Sequence, residues 1–61
     1  MMHEFDVSVV TDDRIDSMRV TAMSPVHAVQ CGIILMGGAA GIYSVWDGDG
    51  DGMPVLERTV G

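Results

Sequence analysis

The chain has 61 residues, nine Asp or Glu against three Arg, and a formal net charge of −6. That length allows one domain near the lower limit at which a core alone holds a fold together, and it leaves little room for a pocket that encloses a substrate beside positioned acid and base groups. The charge disfavours direct contact with nucleic-acid phosphates or an anionic membrane surface, and the single Cys31 excludes an internal disulfide.

Residues 4–10 alternate, with Phe5, Val7 and Val9 on one side and Glu4, Asp6 and Ser8 on the other. This is the pattern of a half-buried strand with an acidic outer face. Thr11-Asp12-Asp13-Arg14 is polar and turn-prone. A second strand is expected over residues 15–23, with Met18, Val20 and Ala22 inward and Arg19 and Thr21 outward. Two strands on a short turn predict an antiparallel hairpin. In it Arg19 would lie across from Glu4 or Asp6.

Residues 24–36, SPVHAVQCGIILM, predict the one helix. Ser24 is suited to the N-cap, Pro25 to the first helical position, and Gly37-Gly38 to a left-handed C-terminal stop. Val26, Val29, Ile33 and Met36 recur at helical spacing and are expected to face the sheet. The opposite side is apolar as well, through Ala28, Cys31, Ile34 and Leu35. A helix that is apolar nearly all round is normally buried on more than one side, and one sheet cannot do that in so short a chain. Those four residues are therefore the expected interface of a homo-oligomer.

Gly37 to Gly41 forms a small-residue connector, and Ile42-Tyr43-Ser44-Val45-Trp46 is β-branched and aromatic, a third strand. Asp47 to Gly52 reads as a turn, after which residues 53–59 return as a fourth strand. Pro54 places that strand at an edge or delays its start. The expected fold is a single α+β domain over residues 1–61, strand-strand-helix-strand-strand, with one antiparallel sheet and the helix across a face. The pattern leaves the strand order open.

Three groups of residues carry candidate chemistry. Asp47-Gly48-Asp49-Gly50-Asp51-Gly52 resembles the opening of the EF-hand calcium loop, with Asp47, Asp49 and Asp51 at its first, third and fifth positions. The twelfth position, where that loop has a bidentate Glu, is Arg58. The other reading of this stretch is an acidic hairpin loop in which Gly supplies positive φ. His27 and Cys31, four apart on one helical face, supply half of a metal site that His3 or a second copy would have to complete; the plainer reading is a helix-surface His and a small buried thiol. Glu4, Asp6, Asp12, Asp13 and Asp16 cluster in the first hairpin. They read either as a solvated face or as a patch that steers a basic protein partner, itself of the nucleic-acid-binding kind.

No charged residue occurs between Arg19 and Asp47, and residues 28–46 are long enough to span a bilayer. The central Gly37-Gly38 breaker and the acidic flanks without nearby Lys or Arg speak against a membrane span. The opening MMHEFDV is acidic and strand-like, so no signal peptide is expected. A lone cysteine favours a reducing, cytoplasmic setting. The absence of Lys and Asn is a bias associated with GC-rich bacterial or phage genomes. No glycine-rich loop runs from a strand into a helix and no spacing marks a triad, so neither catalysis nor a cofactor is expected. The functional expectation is a small acidic accessory protein that acts through protein contacts. A calcium module, an acidic decoy and a small membrane protein are the alternatives.

Overall fold

The computed structural model describes residues 1–48 and 51–61. Its elements in chain order are β1 (His3–Val10), β2 (Ile15–Ala22), α1 (Pro25–Leu35), β3 (Gly41–Asp47) and β4 (Leu56–Val60). The fold is the expected strand-strand-helix-strand-strand α+β arrangement. All four strands form one antiparallel sheet in the order β2-β1-β3-β4. The N-terminal strand is thus central, and α1 carries the chain over it from β2 to β3.

Alternation decides the two faces. Phe5, Val7 and Val9 of β1 point toward α1 together with Val20 and Ala22 of β2 and Tyr43 and Val45 of β3, and all are buried. Ala28 and Val29 of α1 complete the core, and Met18, Cys31, Ile33, Met36, Leu56 and Val60 pack around it. Burying a Val or Phe contributes about 1.5–3 kcal/mol relative to leaving it in water. With Phe5 and Tyr43 as its large members, this core is thin.

The helix ends follow the expected chemistry. Ser24 Oγ accepts the His27 N–H at 3.2 Å, and His27 Nδ1 accepts the Met23 N–H at 3.1 Å. Two donors at the helix start are thereby satisfied from the same turn. At the other end Gly37 N–H donates to Ile34 C=O and Gly38 N–H to Ile33 C=O. Both glycines have positive φ, 69° and 75°, which completes a Schellman stop.

The rotation of α1 about its axis differs from the expectation. Ala28, expected on the outer face, is fully buried, while Val26, expected to face the sheet, is 52% exposed. The inward face centres on Ala28, Val29 and Gly32. Its small residues let the helix backbone approach closely. A Cβ on Gly32 would meet Val7 Cγ1 at 2.8 Å, so the close contact requires glycine. Hydrophobic size misleads here, because the point of nearest approach selects the smallest side chains.

The fourth strand starts late, at Leu56, and lies at an edge, as Pro54 implies. Tyr43 Oη donates to Ala39 C=O at 2.6 Å and ties the connector after the helix to β3.

Candidate interaction surface

The outer surface of α1 carries the exposed apolar residues of the predicted interface. Ile34 is 75% and Leu35 67% exposed, and Cys31 is half-buried beside them. With Arg19, Val20 and Thr21 of β2 these three line an apolar hollow of about 380 Å³. Ile34 is the crest of the helix, Cys31 and Leu35 descend toward β2, and Ile33 lies on the side of β4, near Arg58. Three of the four predicted residues therefore share one flank, and Ala28 does not belong to it. The β2 residues of the hollow were not visible as site residues in the sequence. Their signal was the crossover itself, which sets the helix beside the strand that precedes it.

Beside this flank runs the outer edge of β2. Thr11 N–H donates to Arg14 C=O at 2.9 Å, which makes Thr11 and Arg14 a hydrogen-bonded pair. Bonded and non-bonded pairs alternate along an antiparallel ladder. Val9 with Asp16, Val7 with Met18 and Phe5 with Val20 then bond across the ladder, while Ile15, Ser17 and Thr21 direct their N–H and C=O groups away from β1. The register runs through eight consecutive pairs without a bulge.

The acidic cluster of the first hairpin is not one patch. Asp6 lies directly across from Arg19, Glu4 is diagonal to it, and Arg19 pairs with both, at 3.0 Å and 3.2 Å. Asp16 opposes Val9 and thus belongs to the helix-covered face. Its Oδ2 is 2.7 Å from Arg14 Nε, an ion pair by distance without the alignment of a hydrogen bond. Asp12 and Asp13 sit at the exposed turn, where the Thr11 hydroxyl reaches the Asp13 carboxylate at 3.1 Å. A surface made of all five carboxylates does not form.

On the open face of the sheet, Asp6, Ser8, Ser17, Arg19 and Trp46 border a shallow hollow of about 450 Å³. The Trp46 indole N–H donates to Gly52 C=O at 3.0 Å and so holds the end of the acidic loop against β3. Asp47 and Asp51 are exposed, and Asp49 lies outside the described residues. Among the described residues no three His, Cys, Asp or Glu side chains are grouped closely enough to hold a metal ion. His27 uses Nδ1 for the Met23 amide, and His3 packs edge-on against Phe5 with ring centroids 6.3 Å apart. Neither imidazole is brought to Cys31 in a metal-ligating group. Among the described residues no helix is long and apolar enough to cross a membrane. No protein-family model, curated protein or solved structure matches the chain.

Proposed function

We propose that this chain is a small acidic accessory protein that acts by binding other proteins, not by catalysis, and that it works as a homo-oligomer joined through the outer flank of α1. The observation that carries this reading is the pair Ile34 and Leu35, 75% and 67% exposed on a helix whose inner face is already buried. Single exposed apolar residues are ordinary on a monomer. Here two large ones adjoin an apolar hollow with Val20 and Cys31, in a chain whose core is thin. Covering that flank supplies the burial that one sheet and one helix lack.

The test is solution mass by light scattering. The wild-type chain is expected at twice the mass of one chain or more, and Leu35→Glu at the mass of one chain, because a charge buried in an apolar seam without a partner is strongly unfavourable. An oligomer that survives Leu35→Glu, or a wild-type monomer, would refute the reading.

A further inference from the structure

Resting on that reading, we infer that the partner on this flank is a second copy of the same chain, joined edge to edge along β2 into a continuous eight-stranded antiparallel sheet with both helices on one side. Three independent features converge on this seam.

The first is the contrast between the two sheet edges. Native proteins blunt exposed edges by shortening them, by proline, by bulges and by charge. The β4 edge has three of these devices. It is five residues long, Pro54 precedes it, and Val55 N–H donates to Val45 C=O although Leu56 is Val45's register partner, a bulge-like offset. β2 has eight residues in unbroken register, no proline and no bulge, and its two charges are held within the chain, Asp16 by Arg14 and Arg19 by Glu4 and Asp6. An edge of that kind is a template for another strand.

The second is charge. A chain of net −6 repels its own copy over most of its surface. β2 holds Asp16 and Arg19, a net of 0, and the helix holds no formally charged residue; the rest of the chain therefore carries the whole −6. The β2–α1 flank is where two copies meet with the least repulsion.

The third is geometry. A two-fold axis perpendicular to the sheet beside Met18 sets Ile15 against Thr21 of the second copy, and it keeps Arg19 from facing its own equivalent. The helices then run side by side. α1 lies over all four strands, so it is centred between β1 and β3. The two helices would be separated by between three and four strand spacings, roughly 14–19 Å. Directly packed helices approach to about 8–10 Å. Long side chains must fill the difference, and the residues on that side are Ile34 and Leu35 with Cys31.

Ser17→Pro tests the edge separately from the helix. The Ser17 N–H points away from β1, so proline there removes an edge donor and leaves the β1–β2 ladder intact. The dimer dissociation constant is expected to rise at least tenfold in Ser17→Pro, with the fold retained by circular dichroism. A Ser17→Pro protein that dimerises like the wild type while Leu35→Glu is monomeric would overturn the edge pairing and leave the helix-flank association standing. A wild-type monomer would overturn both. Should Ser17→Pro fail to fold, amide hydrogen exchange decides: Ser17 and Thr21 should exchange at least tenfold more slowly in the wild-type dimer than in the Leu35→Glu monomer, and equal rates would refute the seam.

Discussion

The two edges of this sheet belong to the same chain and are built on opposite rules. β4 is short, follows a proline and begins with an offset. β2 is long and regular, and it continues upward into the apolar flank of α1. A strand edge alone offers hydrogen bonds that water also offers, at a small net gain of about 0.5–1.5 kcal/mol each. Apolar cover beside the edge excludes that water. The difference teaches that an edge is defined by what lies above it as much as by its own backbone.

Three substitutions break or sharpen this contrast. The largest effect is expected at the centre, on which both edges depend. A Cβ on Gly41 would meet the Val10 carbonyl oxygen at 2.5 Å, a backbone atom that cannot step aside. Gly41→Ala should lower unfolding stability by about 1–3 kcal/mol, as overpacking does, read as a reduced urea midpoint. An unchanged midpoint would mean that β1 and β3 part easily at this end. The next effect belongs to the β4 side. Tyr43→Phe deletes the 2.6 Å bond to Ala39 C=O and should cost about 1 kcal/mol while the solution mass stays that of the wild type. A change in mass would tie the connector to the interface. The smallest is Arg19→Ala on the β2 side. Its ion pair with Glu4 is solvent-exposed and that with Asp6 partly so, and surface pairs are worth about 0–1 kcal/mol. The loss should shrink further in 1 M salt, where the screening length is about 3 Å. A larger, salt-independent loss would show that Arg19 acts through packing.

Legibility in the sequence followed the range of each interaction. Ser24, Pro25, Gly37 and Gly38 marked the helix ends because capping is settled within one turn, and the strands announced themselves through alternation. Strand order was beyond reach, since Val7 and Val45 look alike whether or not they are neighbours. The rotation of α1 was misjudged because an almost wholly apolar helix gives little angular signal, and Gly32, the residue in closest contact with the sheet, has no side chain to register. The division of the acidic cluster was legible in principle. Once Met18, Val20 and Ala22 face inward, Asp16 shares their parity and cannot join Glu4 and Asp6. Of the predicted interface, Cys31, Ile34 and Leu35 lie on one flank, while the β2 residues beside them depended on topology.

Trp46 is the chain's single tryptophan, and its ring N–H is fastened to the carbonyl of Gly52 across the acidic loop. Indole emission responds to hydrogen bonding and to water around the ring, so the molecule contains an optical probe at one known place. That probe is on β3 at the open face, with β1 between it and the edge of β2. Its colour and intensity therefore follow the loop end at Gly52, and through the hollow shared with Ser17 and Arg19 they also register changes at β2. Emission followed on dilution thus gives a label-free optical reading beside the solution mass.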